Sequence, residues 1–201
     1  YKWRSGIKHD ASKVMELTKI NDTFYNGFNE EVDIEEKFVY PILKSSDISK
    51  SNIKPRKFII ITQKHVGSNT DNIRKEAPKT WSYLIKHSKI LDNRKSIIYK
   101  KQSRFAIFGI GESSFSPWKV AISGLYKNIN FSVIGMMDNK EIMLDDTCYF
   151  ISCSSKQEAE RICKALNSKI AKEYLESMIF YDSKRPIKVD ILKKLNINIL
   201  L

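Results

Sequence analysis

The apolar residues of this chain change period along its length, and that change most limits what it can fold into. Before Ser155 they come as short β-branched runs or alternations cut by polar turns; after it they recur at helical spacing. Residues 12–18 alternate as a half-buried strand would. Residues 24–28 contain Asn26-Gly27, the strongest short hairpin signal, and residues 32–35 alternate beyond it. Residues 38–43, followed by a polar turn over 44–47, and the apolar run 58–62 predict further strands. So do 105–108 and 119–123, on either side of a Gly/Ser/Pro loop, and then 131–134 and 147–152.

Pro78 after Ala77 marks a helix start, with Trp81, Leu84, Ile85, Ile90 and Leu91 on its apolar face. Ser155-Lys156-Gln157-Glu158 is a capping box. Behind it Ala159, Ile162, Cys163, Leu166, Ile170, Tyr174 and Met178 form a core-facing stripe, with a break at Asn167-Ser168. Pro186 suits the first turn of a last short helix carrying Ile187, Ile191, Leu192 and Leu195. Strands early and helices late predict an α+β fold, with helices concentrated in the C-terminal third.

The net charge of +12 is informative through its distribution. Residues 1–50 hold 8 basic and 9 acidic groups, residues 51–130 hold 16 and 4, and residues 131–201 hold 11 and 10. The excess lies in the middle, where a polyanion such as DNA is the natural partner and a solubilising surface the alternative. Cys148, Cys153 and Cys163 cannot all pair and show no scaffold spacing, so a reducing cytoplasm is expected. His9, His65 and His87 are scattered and no Cys-x-x-Cys occurs, so no zinc site is expected. No apolar run approaches the roughly 18 residues that cross a membrane, and no membrane partner is expected. The polar, basic start without an initiator Met or signal pattern reads as a fragment of something longer.

Several local sequences carry a resemblance. Trp3-Arg4-Ser5-Gly6-Ile7-Lys8-His9-Asp10 with Val14-Met15-Glu16-Leu17, then residues 40–48, 91–96, 119–127, 145–151 and 165–169, occur in the order found in the target recognition domains of type II adenine-N6 DNA methyltransferases. The chain resembles that family over nearly its whole length, and the last two elements are also similar to type I specificity subunits. The resemblance implies a curved mixed or antiparallel sheet, a partial barrel with attached helices, over residues 1–201. It also implies a double-stranded DNA partner and an upstream methyltransferase domain, in a bacterial cytoplasm. That upstream domain would flip the adenine out and methylate its exocyclic amine with S-adenosylmethionine.

The chemistry of methyl transfer is not legible in this chain. The family's catalytic tetrapeptide is of the Asn-Pro-Pro-Tyr type, yet Pro41, Pro55, Pro78, Pro117 and Pro186 are all isolated. Phe108-Gly109-Ile110-Gly111 superficially matches a cofactor loop but is followed by residues 113–117 and a strand instead of a helix, so a turn is expected and no cofactor is assigned here. Asp33, Glu35, Glu36, Lys37, Asp145 and Asp146 do not form a nuclease pattern; they read as hairpin and turn acids.

The resemblance and the charge map together place DNA contacts at Arg94, Lys95, Lys100, Lys119 and Lys127, with ordinary exposed cations as the alternative. Lys8, His9 and Asp10 occupy a loop where a base-edge reader fits. Ser113 and Ser114 lie with Phe115 and Trp118 in a polar-aromatic loop suited to groove contact, and Trp118 reads better as core. Lys184 and Arg185 meet phosphate or cap nearby carbonyls. Ser45, Ser46 and Asp47 read as a turn, while Asp145, Asp146, Asn167 and Ser168 read as structural, and Tyr174 and Met178 as core. The leading expectation is a DNA-reading module of an adenine methyltransferase. A type I specificity-subunit domain and a metal-dependent endonuclease are the alternatives.

Overall fold

The computed structural model describes all residues from Tyr1 to Leu201. In chain order the strands are β1 (Arg4–Ser5), β2 (Glu16–Ile20), β3 (Thr23–Tyr25), β4 (Glu31–Val32), β5 (Val39–Leu43), β6 (Lys57–Ile60), β7 (Trp118–Ser123), β8 (Ser132–Ile134), β9 (Met136–Met137), β10 (Lys140–Glu141), β11 (Met143–Leu144) and β12 (Cys148–Cys153). The helices are α1 (Ser12–Met15), α2 (Ser45–Ser49), α3 (Ile73–Glu76), α4 (Pro78–Lys86), α5 (Ser88–Asp92), α6 (Lys156–Leu166), α7 (Lys169–Glu176), α8 (Val189–Leu192) and α9 (Ile197–Leu200). The fold is α+β, as the change of period predicts, and its sheets are open. The C-terminal third holds the longest helix, and a second helical group spans α3 to α5. No helix is long and apolar enough to cross a membrane.

The chain divides into two compact units. The first comprises Tyr1–Gly6, Leu43–Pro55 and Ser113–Leu201; the second comprises Ile7–Ile42 and Arg56–Glu112. The first unit is built on an antiparallel sheet in the order β1-β12-β7-β8. Because successive side chains of a strand point to opposite faces, β7 and β12 serve two cores at once. Val120, Ile122, Tyr149, Ile151 and Cys153 pack with Ala159, Ile162 and Leu166 of α6 and with Ala171 and Leu175 of α7. Ala121, Cys148 and Phe150, on the other face, pack with Leu43, Ile48, Ile134 and Leu144. Ser155 caps α6 by accepting from the Glu158 amide, and the Glu158 carboxylate accepts from the amide and hydroxyl of Ser154. Asn167 ends α6 and holds Phe131 with both halves of its amide, accepting from the backbone N–H at 3.1 Å and donating to the carbonyl at 2.9 Å. Ser168 then caps α7. Restarting the helix there resets its face: Ala171 and Leu175 turn inward, while Ile170 (73% exposed) and Tyr174 (44%) turn out, contrary to the stripe expected from spacing.

In the second unit the strands run β5-β6-β2-β3-β4, all antiparallel. The tight hairpin lies at Asn21-Asp22, between β2 and β3, where both residues have positive φ (46° and 65°). Asx residues tolerate that conformation and the paired twist suits a two-residue hairpin. Asn26-Gly27 opens a longer loop instead. The Asn26 side chain accepts from the amides of Phe28 and Glu30, and a Cβ on Gly27 would stand 2.7 Å from the Lys13 Cα.

Two expected strands of this unit take other forms. Residues 12–15 make a helical turn: the Val14 and Met15 amides donate back to the Ala11 carbonyl, and the Val14 carbonyl accepts from the Tyr83 hydroxyl. Residues 105–108 touch strand geometry only at a bridge between Phe108 and Lys8. The Phe105 carbonyl is taken by the Thr62 hydroxyl, and those of Arg104 and Ala106 by Arg94, so a strand ladder has nothing to join. The inward face of α4 and α5 is Thr80, Tyr83, Leu84, His87 and Leu91; Ile85 and Ile90, expected on it, are exposed.

Candidate nucleic-acid interface

The basic middle of the sequence is shared between the two units, which hold 18 basic and 11 acidic groups (first) and 17 and 12 (second). In the second unit, acids from residues 7–42 reach bases far along the chain: Glu16 to Lys57 at 3.6 Å, Glu30 to Lys86 at 2.9 Å and Asp33 to Lys79 at 2.8 Å. Glu35 does more than sit on a hairpin. Its carboxylate accepts from the Lys79 and Thr80 amides and the Thr80 hydroxyl, capping the N-terminus of α4. Burial opposes the charge there, but those donors outweigh it and hold the carboxyl down at about 2. After this pairing Lys64, Arg74, Lys75, Lys89, Lys95, Lys100 and Lys101 remain exposed and without an ion pair.

Three expected contact residues, Asp10, Arg94 and Lys95, are brought together. With Lys89, Ile90 and Asn93 they line an open depression of about 660 Å³ in the second unit. Their roles there differ. Lys95 is exposed. Arg94 is only 7% exposed; its guanidinium donates to the carbonyls of Leu91, His9, Ala106 and Arg104 and stacks on the Tyr99 ring at 3.8 Å. The expectation of a phosphate contact at Arg94 is corrected on this ground: its donors are already committed to the backbone. His9 is likewise buried. Its Nδ1 accepts from the Ala11 amide and its Nε2 lies 3.3 Å from Glu16, so its ring edges are not offered to a groove. Lys8, half-buried, lies 3.5 Å from Asp10, and Lys100 is exposed beyond the depression.

In the first unit Lys119 is 1% exposed and donates to the Ser116 carbonyl at 2.7 Å. Burial pushes its ammonium down to about 8, against the pull of Glu141. It is an internal group, and its expected phosphate contact is corrected too. Ser114 is buried in a single 3-10 turn (Glu112–Phe115), with half-buried Ser113 beside it. Trp118 packs on the core. Ser45, read from sequence as part of a turn, opens α2; its buried hydroxyl donates to Thr147 and accepts from Ser123. Lys127 is exposed above the Tyr181 ring at 5.9 Å, Lys184 is exposed, and Arg185 holds Asp146 at 3.1 Å. Tyr174, read as core, is exposed, whereas Met178 packs on the core.

Sequence reasoning missed Lys89, Ile90 and Asn93. Nothing in the local spacing singled them out: Ile90 and Leu91 are neighbours on α5, and only the helix's orientation leaves the first exposed and buries the second. At residues 108–111, Gly109 adopts φ 71° and the chain passes into that 3-10 turn, so the geometry is a turn and does not fit a strand–Gly–helix cradle for a nucleotide-like cofactor.

A basic α+β chain made of two open antiparallel-sheet units is thus the class that the fold and charge define. No family model matches it. It is 52% identical over 200 residues to the Type II methyltransferase M.NspV of Nostoc sp. (strain ATCC 29411 / PCC 7524), an alignment covering 99% of this chain and 42% of that protein. The chain therefore spans less than half the length of this relative. Its fold is also similar to part of the Type IIL restriction-modification enzyme MmeI, solved in complex with DNA. That match has a TM-score of 0.50 over 82% of this chain and 20% of the other, at 14% identity.

Proposed function

We propose that this chain is the double-stranded DNA recognition portion of an adenine-N6-specific methyltransferase in a bacterial restriction-modification system. The carrying observation is that 99% of the chain aligns at 52% identity with under half of a type II methyltransferase, while holding no adjacent prolines for the catalytic tetrapeptide. The fold likeness to part of a restriction-modification enzyme solved with DNA supports the same reading. So do the unpaired cations of the second unit, the groups that displace counterions from a phosphate backbone. In this reading an upstream domain binds S-adenosylmethionine and transfers the methyl group, and this chain chooses the site and positions the adenine.

Selection from a randomised duplex library with the 201-residue chain tests the recognition half. A single enriched consensus containing adenine is expected, and a pool without consensus overturns it. Expressing the complete parent gene and mapping N6-methyladenine tests the chemical half. The modified base is expected inside the same consensus.

A further inference from the structure

Asp10 is an acid in the wrong place for a surface that only grips phosphates. It lines the depression with Lys89, Lys95 and Arg94, and Lys8 lies 3.5 Å away. Those cations do not need it for neutrality in a DNA complex, where phosphates do that work, and a carboxylate facing phosphate costs affinity. Its backbone is also held in place. Asp10 has φ 51°, a left-handed conformation that aspartate tolerates, and its neighbours pin the chain there. They do so from both sides. Lys8 and Phe108 exchange backbone hydrogen bonds at 2.9 Å in both directions, Arg94 donates to the His9 carbonyl, and His9 Nδ1 accepts from the Ala11 amide. The carboxylate is therefore presented on a fixed stem, beside Lys8 and in a depression it shares with the exposed cations Lys89 and Lys95.

We propose, resting on the recognition reading above, that Asp10 is a base-reading residue. Its carboxylate accepts a hydrogen bond from an exocyclic amine in the major groove, the N4 amine of cytosine or the N6 amine of adenine. A carboxylate has no donor, so it discriminates against the O4 and O6 carbonyls that thymine and guanine present at the equivalent place. Lys89 and Lys95 fix the register by holding phosphates, and Arg94 is a positioning residue that sets the stem.

The test repeats the duplex selection with the wild-type chain, Asp10→Gly, Asp10→Asn and Lys95→Ala. Glycine and asparagine both accept φ 51°, so unchanged thermal unfolding of these variants is the expected control, and Asp10→Asn stands in if the glycine variant unfolds. The expected result is that Asp10→Gly loses roughly tenfold preference at one consensus position and keeps the others. Asp10→Asn, with a donor added, gains the carbonyl-bearing pair at that position. If the relaxed pair is C·G the amine is that of cytosine; if A·T, that of adenine. Lys95→Ala is expected to weaken all duplexes alike with the consensus intact. A uniform change of affinity with Asp10→Gly and no change of consensus overturns the proposal while leaving recognition standing. A wild-type pool without consensus overturns both.

Discussion

In the unit formed by Ile7–Ile42 and Arg56–Glu112, acids meet bases from distant stretches of chain: Glu16 with Lys57, Glu30 with Lys86, Asp33 with Lys79. In the other unit most ion pairs are local, as in Lys156–Glu160, Lys169–Glu173 and Lys193–Asp190, with Arg185–Asp146 the long-range exception. Local helix pairs each contribute only a few tenths of a kcal/mol and select nothing about the surface. The distant pairs do select something. By consuming the cations at 57, 79 and 86, they leave those at 64, 74, 75, 89, 95, 100 and 101 uncovered, and so decide which part of a basic sequence becomes a basic surface.

The sharpest way to break this comparison is at Arg94, which sequence cannot distinguish from its neighbour Lys95. Arg94→Ala would strand four carbonyls, spread over three stretches of chain around His9, Leu91 and Arg104–Ala106 that this one guanidinium ties together. A loss of about 3 kcal/mol or more in urea unfolding is expected, and Arg94→Lys recovers little of it because an ammonium lacks the planar fork. If Arg94→Ala unfolded like wild type and lost only DNA affinity, the division between buried and exposed cations would fail.

Glu35 sharpens it next. Glu35→Ala removes the cap of α4 and is expected to cost about 1–2 kcal/mol. Its folded pKa of about 2 lies below the ordinary 4.5, so its contribution is fully present above the ordinary value. That contribution is lost as pH falls through about 2. The stability difference between wild type and Glu35→Ala should therefore close over that window in acid-unfolding curves.

How much of this was legible follows the same line of range. The cap of α6, the break at Asn167-Ser168 and the strands β6, β7, β8 and β12 rest on spacing within a dozen residues, and local pattern finds them. The helical turn at 12–15 and the non-strand at 105–108 do not. They depend on Tyr83 donating to the Val14 carbonyl, Thr62 to that of Phe105 and Arg94 to that of Ala106, contacts between residues far apart in sequence. The site divides likewise. Asp10 and Lys95 were named by motif and charge and stay exposed in the depression, Arg94 and Lys119 were named for surface roles that burial denies, and Lys89 and Asn93 join the depression only once α5 has an orientation.

The exposed cations predict a smaller, purely electrostatic effect. Lys89→Ala with Lys95→Ala should lower the slope of log affinity against log salt by roughly 1.8, about 0.9 for each phosphate released. The urea midpoint should stay put. An unchanged slope would remove the depression from the interface.

The smallest effect is expected at Lys119, and it is the cleanest control because its charge is identical to that of Lys95. Lys119→Met should leave the salt slope and consensus unchanged, since the ammonium faces the Ser116 carbonyl inside the first unit. Its stability at neutral pH should move by no more than about 1 kcal/mol, relief of a buried charge offsetting one unpaired carbonyl. The pH dependence carries the signature. The folded pKa of about 8 lies below the ordinary 10.5, so below about 8 the wild type bears the full burial cost of the charge. Between the two values the unfolded chain binds more protons, and wild-type stability gains on the variant as pH rises. A variant advantage that is flat across that window would mean the lysine is solvated, and a loss of DNA affinity would place it on the surface after all.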